Sequence, residues 1–208
     1  DYMPSKATWL KEYANKFEPE QNKVITKEGN SYTYDYLVVC PGIQLNWDGV
    51  KGLRENIGKN GVTSNYSFNT APYTFECIKN YKGGPAIFHN SHTPMKCGGA
   101  PHKIMYLAAD YFRKHGITET NIQYWSGGGR LFGIDKYEKT LLDVVKRGNI
   151  KLVFSVKLEE IDGANKRARF TGFGEANKGQ EYMVDYEFIH VTPPQSPPDF
   201  VKNSPLAN

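Results

Sequence analysis

The sequence predicts an α/β fold: a parallel sheet with flanking helices, joined to antiparallel β segments. Three observations predict it. Between residues 84 and 155, short apolar runs alternate with stretches of helical periodicity, a β-α-β-α-β order that short connections turn into a parallel sheet. Tyr36-Leu37-Val38-Val39-Cys40 is a continuous apolar run, the pattern of a strand buried on both faces. After Lys157 the chain returns to alternating residues punctuated by turns.

The elements follow in order. Lys23–Thr26 reads as a strand, Glu28-Gly29-Asn30 as a turn, and Ser31–Tyr34 as a second alternating segment. Tyr36–Cys40 is the buried strand, stopped by Pro41-Gly42, and Gly49–Ser67 reads as a loop or connection. Thr70-Ala71-Pro72 opens a helix bearing Phe75 and Ile78, with Cys77 as a small core residue. Gly83-Gly84 breaks it, and Pro85–His89 is a strand. A long polar loop runs from Asn90 to Gly99. Pro101 then stands in the first turn of a helix carrying Ile104, Met105, Leu107, Ala108, Tyr111 and Phe112, and Gly116 stops it. Asn121–Trp125 is the next strand, followed by Gly127-Gly128-Gly129. Asp135 with Glu138 has the spacing of a capping box for a helix bearing Leu141, Leu142, Val144 and Val145. Ile150–Phe154, Lys157–Asp162, Lys166–Phe170 and Glu181–Val191 complete the strands, and the proline-rich 192–198 stretch excludes regular structure.

Composition narrows the function classes. The 208 residues suffice for a core burying roughly 70 % of the unfolded surface. Their mean hydropathy is −0.59, and no apolar run approaches the roughly 20 residues of a membrane helix. With 14 Tyr, 11 Phe and 3 Trp the chain is too aromatic for disorder, and three cysteines are too few for a disulfide scaffold. A net charge of +4 falls short of the dense basic stripe of a nucleic-acid binder, so no nucleic-acid partner is expected. The opening Asp1-Tyr2-Met3-Pro4 has no basic-then-apolar leader pattern and no initiator Met, which reads as an excerpt of a longer chain.

The β-α-β-α-β unit invites a dinucleotide, but its first loop, His89 to Pro101, is too long and its glycines are misplaced for a Gly-x-Gly-x-x-Gly turn. The acid expected after the second strand is also missing, since Tyr124-Trp125-Ser126 stands there. That loop offers a cysteine instead. Cys97 lies just before a helix, beside Lys96 and ahead of two glycines; a helix N-terminus and an ammonium both favour the thiolate. Local features leave two readings of it, a reactive thiol or an inert buried one. Cys40 ends a strand before Pro-Gly and reads as structural, although strand ends border ligands in α/β proteins. His89, His92 and His102 read as loop or surface histidines and His190 as a hydrogen-bonded strand residue, so no metal site is expected. Neither a Ser-His-Asp arrangement nor a Walker loop is legible.

Three stretches resemble a known family. Tyr34-Asp35-Tyr36-Leu37-Val38-Val39-Cys40-Pro41-Gly42-Ile43-Gln44-Leu45 is similar to the strand and Gly-Ile-Gln-Leu turn of sulfide:quinone oxidoreductases, notably the mitochondrial-like bacterial and eukaryotic type. Pro94-Met95-Lys96-Cys97-Gly98-Gly99-Ala100-Pro101-His102-Lys103-Ile104-Met105-Tyr106-Leu107 resembles their Pro-x-Lys-Cys-Ala-Gly-Ala-Pro-Gln-Lys-Ile-Met-Tyr-Leu segment. His190-Val191-Thr192-Pro193-Pro194-Gln195-Ser196-Pro197-Pro198 resembles their His-Val-Thr-Pro-Pro-x-Ser-Pro-Pro stretch. With Leu131-Phe132-Gly133 between them, the matches span essentially the whole chain.

The resemblance implies part of a two-dinucleotide-domain flavoprotein of the pyridine nucleotide-disulfide oxidoreductase superfamily. Non-covalent FAD is implied, with two redox cysteines on the side of the flavin away from the quinone. Sulfide attacks the cysteine bridge and leaves a persulfide, electrons pass through FAD to a quinone, and the sulfane sulfur leaves on an acceptor thiol. Cys97 matches one of those cysteines. Cys40, Pro41 and Gly42 are expected to line the cofactor, Pro193 and Pro194 to belong to the return towards it, and Ala14 to meet the adenine through its backbone. The implied domains are residues 1–68, the tail of a first FAD-binding segment; 69–191, a second Rossmann-like domain carrying Cys97; and 192–208, the proline-rich return.

The sequence departs from the family pattern in lacking the N-terminal glycine fingerprint, the later Gly-Asp segment, a second redox cysteine and the membrane-docking C-terminal helices. It therefore reads as a central fragment, inactive and poor at holding FAD alone. The implied location is peripheral, on a bacterial cytoplasmic or mitochondrial inner membrane through segments outside this sequence. Two alternatives stay open: a related flavin-dependent NADH:quinone-type oxidoreductase, and a non-catalytic Rossmann-like binding module.

Overall fold

A computed structural model describes residues 3–207; Asp1 and Tyr2, where the leader was sought, and Asn208 lie outside the described residues. The chain forms two compact units, 1–44 with 197–208, and 45–196.

The first unit holds a three-stranded antiparallel sheet of β1 (Ala14–Glu18), β2 (Lys23–Thr26) and β3 (Ser31–Thr33), in that order. A single 3₁₀ turn, Pro19–Gln21, joins β1 to β2 and closes on Asn22 at φ +47. Phe17 is its buried anchor and stacks on Phe200 of the helical turn Asp199–Lys202, ring centroids 5.8 Å apart. The Tyr36–Cys40 run is the main departure from expectation. It bends at Tyr36, continues without regular structure, and pairs with no strand among the described residues; Tyr36 is 93 % and Val38 84 % exposed. Leu37 and Val39 are half-buried, so the run covers one face only. Continuous hydrophobicity demands cover on both faces, and the described residues supply it on one. β4 (Gln44–Leu45) follows, where the chain passes between units.

The second unit is built on a five-stranded parallel sheet. A short helix α1 (Leu53–Asn56) precedes β5 (Val62–Thr63), which lies inside the stretch expected to be loop. Two residues between Gly61 and Ser64 give no periodicity, yet both are fully buried at the sheet edge. The unit continues with α2 (Ala71–Asn80), β6 (Pro85–Asn90), α3 (Ala100–Lys114), β7 (Asn121–Ser126), α4 (Asp135–Arg147) and β8 (Lys151–Phe154). An antiparallel meander follows: β9 (Val156–Asp162), β10 (Arg167–Gly172) and β11 (Glu181–Asp185). The single β run expected over 181–191 divides at Tyr186-Glu187. Its second half, β12 (Phe188–Val191), leaves the meander and enters the parallel sheet between β5 and β6. The sheet order is β5-β12-β6-β7-β8. Gln195–Ser196 forms the two-residue β13 inside the proline-rich stretch.

Period-two alternation explains why the central strands read as continuous apolar runs. Ile87, Trp125 and Ile189 point into one cluster with Leu158 and Phe170 of the meander; Phe88, Tyr124 and Phe188 point into another with Met105, Ala108 and Phe112 of α3. Trp125 stacks on Phe170 at 4.6 Å and donates its indole N–H to Gln123 Oε1. The capping box expected at Asp135 does not form. Ile134 is the N-cap residue without a side-chain bond. Glu138 instead reaches out of the helix to the turn before it: its Oε1 accepts the N–H groups of Leu131 (2.9 Å) and Phe132 (3.2 Å), and its Oε2 pairs with Arg130. The Arg130 guanidinium holds the Glu138 carboxyl down at about 2.

Candidate functional site

In a parallel sheet all strands deliver their following loops to one edge, and ligands gather where the strand order reverses. Here β6, β7 and β8 run outward in one direction from β6, while β12 and β5 lie on its other side, so the reversal falls between β6 and β12. The loops leaving that point are 91–99 after β6 and 192–195 after β12. They are tied together at three places. Thr192 N–H donates to His89 O (3.2 Å) as the two strands end. Gln195 N–H donates to Thr93 Oγ1 (3.0 Å), and Lys96 N–H donates to Gln195 Oε1 (2.9 Å).

Cys97 is thereby held at the mouth of this edge. Its side chain is exposed, its carbonyl accepts the Ala100 N–H at 2.9 Å, and α3 begins three residues on. Its φ is +109, a region that favours glycine and costs a side chain about 1–3 kcal/mol. Beside it opens a groove of about 660 Å³, walled by His102 and Tyr106 of α3, Phe132 of the Glu138-held turn, and Tyr137 and Leu141 of α4. A second hollow of about 230 Å³ lies between Tyr66, Ala100, Lys103 and His190.

The surroundings of the edge are dry and polar at once. His89 and His190 are each 1 % exposed, which corrects the reading of His89 as a loop residue: it faces Phe170 across the sheet. His102 is buried too, against Tyr106, Tyr124 and Phe132, whereas His92 is exposed as expected. Burial, with the neighbouring His92 and His190, pushes His89 down to about 3, and burial takes His190 to about 4. Both are neutral at pH 7. His190 Nε2 accepts the Asn65 N–H at 3.0 Å, so its proton sits on Nδ1 and the 65–66 loop is pinned to β12. Burial raises the Tyr66 phenol, and the nearby Cys97 sulfur adds to that rise. Burial likewise lifts Tyr106 to about 12.

The residues singled out in the sequence fall on both units. Cys97, Pro193 and Pro194 belong to the second, where the two prolines are buried and Pro194 O accepts the Asn46 N–H at 2.8 Å. Ala14, Cys40, Pro41 and Gly42 belong to the first: Ala14 pairs with Thr26 at the start of β1, and Cys40, Pro41 and Gly42 are exposed. All three cysteines are free thiols. Sequence reasoning missed Tyr66, Thr192 and Gln195 as parts of the edge. Only the insertion of β12 beside β6 brings them there, and no spacing encodes it.

No protein-family model matches the chain. It is 47 % identical over 210 residues to a mitochondrial sulfide:quinone oxidoreductase of Dictyostelium discoideum, covering 100 % of this chain and 45 % of that protein. It is 35 % identical over 207 residues to the mouse mitochondrial sulfide:quinone oxidoreductase, covering 99 % of this chain and 46 % of the relative. The chain thus spans just under half the length of the curated relatives it matches. Among solved structures, the sulfide:quinone oxidoreductase of the hyperthermophilic bacterium Aquifex aeolicus superposes with a TM-score of 0.75 at 21 % identity, over 92 % of this chain and 44 % of that one. The resemblance read from the three motifs holds along the whole chain.

Proposed function

We propose that this chain is the central part of a sulfide:quinone oxidoreductase, in which Cys97 is one of the two redox cysteines. The observation that carries the reading is the seating of Cys97: an exposed sulfur on a strained residue, at the strand-order reversal, in a chain 47 % identical to such an enzyme. Residues 1–68 would be the tail of a first FAD-binding segment, 69–191 the second Rossmann-like domain, and 192–208 the return towards FAD.

The residues present are compatible with a flavin. Gly42 has φ +78 with nothing within 4 Å of an added Cβ, so the Cys40-Pro41-Gly42 backbone is bare enough for close approach. Thr192 is completely buried, with its hydroxyl towards the Tyr66 phenol. Ala14, Cys40, Pro41, Gly42, Pro193 and Pro194 are the residues assigned to FAD. When bound, the flavin supplies a two-electron acceptor that hands electrons to a quinone.

The chain's own part is to present and release sulfur. Hydrosulfide adds to one sulfur of a bridge between Cys97 and a second cysteine; one S–S bond forms, the bridging S–S bond breaks, and the second sulfur leaves as thiolate. The persulfide's outer sulfur then leaves on an acceptor thiol. Neither Cys40 nor Cys77 is assigned as the partner. The neutral His89 and His190 add no positive charge to the edge at pH 7, which leaves Lys96 and Lys103 to attract the anion. A peripheral membrane location follows from the quinone; no described helix is long and apolar enough to cross a membrane.

The test uses the full-length protein. It is expected to purify yellow and to reduce a soluble quinone only when sulfide is added. Flavin-loaded protein that reduces quinone with NADH and not with sulfide would overturn the proposal in favour of the NADH-type reading.

A further inference from the structure

We propose that Gln195 is a positioning residue for Cys97, a clamp that fixes the backbone of the cysteine loop from the opposite side of the strand-order reversal. The proposal rests on the reading of Cys97 as the reactive sulfur, and it goes beyond that reading in naming what holds the sulfur in place.

Three features carry it. Gln195 is 5 % exposed, and its two bonds bracket the loop: its N–H reaches Thr93 Oγ1 at 3.0 Å and its Oε1 takes the Lys96 N–H at 2.9 Å, one residue before Cys97. Thr93 is braced in turn by Ser91, whose Oγ lies 3.1 Å from Thr93 Oγ1 and accepts the Thr93 N–H at 3.3 Å. Ser91 is itself buried at the end of β6, so the brace is anchored in the sheet. Cys97 meanwhile sits at φ +109, a conformation that relaxes unless its flanks are fixed. On the far flank, Ala100 N–H holds Cys97 O as α3 begins. On the near flank, the Lys96 N–H bond to Gln195 is the hold that crosses from β13. Lys96, Cys97 and Gly98 are all exposed, so backbone hydrogen bonds rather than buried side chains hold this part of the loop.

A merely structural glutamine would matter for folding and for nothing else. A clamp makes a narrower statement: removing the Oε1 acceptor frees the Lys96 amide and lowers the chemical step, while quinone binding stays as it was. Gln195→Met keeps the length and burial and removes the acceptor. Thr93→Val removes the other strut by a different residue, and Thr93→Ser keeps the hydroxyl. All are made in the full-length, flavin-loaded protein.

Hydrogen–deuterium exchange over residues 94–98 is expected to be about fivefold faster in Gln195→Met and faster in Thr93→Val, and unchanged in Thr93→Ser. Sulfide-dependent kcat is expected to fall about fivefold in Gln195→Met with the quinone KM unchanged. Wild-type exchange over 94–98 in Gln195→Met, or faster exchange with an unaltered kcat, overturns the clamp. Should Gln195→Met not fold, Thr93→Val against Thr93→Ser decides by the same two readouts. If the wild-type protein itself fails to oxidise sulfide, the functional reading falls alone. The alkylation rate of Cys97 relative to Cys40 then replaces kcat: a rate in Gln195→Met differing about fivefold from wild type keeps the clamp, and an equal one overturns it.

Discussion

Cys40, Cys77 and Cys97 place one kind of atom in three surroundings. Cys40 and Cys97 are exposed, whereas Cys77 is half-buried in α2, where burial pushes its thiol up despite a hydrogen bond from Tyr73. Under reducing conditions at pH 7.5, iodoacetamide is expected to modify Cys97 and Cys40 at least tenfold faster than Cys77, read by peptide mass spectrometry. The histidines give a second prediction. His89 and His190 have folded pKa values of about 3 and about 4, below the free value of about 6.5. The unfolded chain therefore binds protons first on acidification. Stability is complete above about pH 6.5 and is lost as pH falls towards 4, by about 1.4 kcal/mol per pH unit for each histidine. The paired carboxylates, Glu138 foremost, are lowered instead and lose their contribution only at lower pH, as pH falls through about 2 for Glu138. A thermal-melt series from pH 7.5 to 5 is expected to decline below 6.5, and His190→Gln to decline less steeply. The neutral state of both histidines was not legible in the sequence, where His89 read as a loop residue. Its burial comes from Phe170, 81 positions later, on a strand that no local signal aligns with it.

Elements with strong periodicity were legible, and those defined by what they meet were not. α3, with its apolar residues at helical spacing, its Pro101 start and its Gly116 stop, could be read directly. So could β6 to β8, which carry continuous apolar runs because both faces are covered. β5 and the β11/β12 division could not, because two buried residues at an edge and a change of sheet within one β-rich run leave no periodic trace. The loop-to-loop fit at the site edge was equally hidden. At Gly127 an added Cβ would stand 2.2 Å from His92 Cα, so the turn after β7 and the loop after β6 approach as closely as backbones can. Gly127→Ala is expected to destabilise the fold by about 3 kcal/mol in denaturant titrations, since backbone rather than a flexible side chain must move. Trp125→Ala, which empties the stack on Phe170 between the parallel sheet and the meander, is expected to cost roughly 3–5 kcal/mol. An effect below 1 kcal/mol at either position would contradict the packing described.

The whole chain corresponds to just under half of the relatives it matches. Leu37 and Val39 are half-buried in an irregular run whose Tyr36 and Val38 lie in solvent. The sequence predicts a strand buried on both faces here, and the described residues cover one. The 208 residues alone are expected to bind a hydrophobic dye through this run and to retain flavin poorly; stoichiometric flavin on the isolated chain would contradict this. Cys97 and the 192–195 stretch lie in motifs the sequence displays, whereas the contacts that join them to each other, and the approach of Tyr66, come from topology alone. The most direct measurement is sulfide-dependent quinone reduction by the full-length protein with Cys97→Ser. Turnover is expected to fall at least about a hundredfold while bound flavin stays at the wild-type level, because on the proposed reading the bridge that sulfide opens can no longer form and the residues assigned to the flavin are untouched. A Cys97→Ser protein that keeps its flavin and turns over within a few-fold of wild type would contradict the central role given to this sulfur.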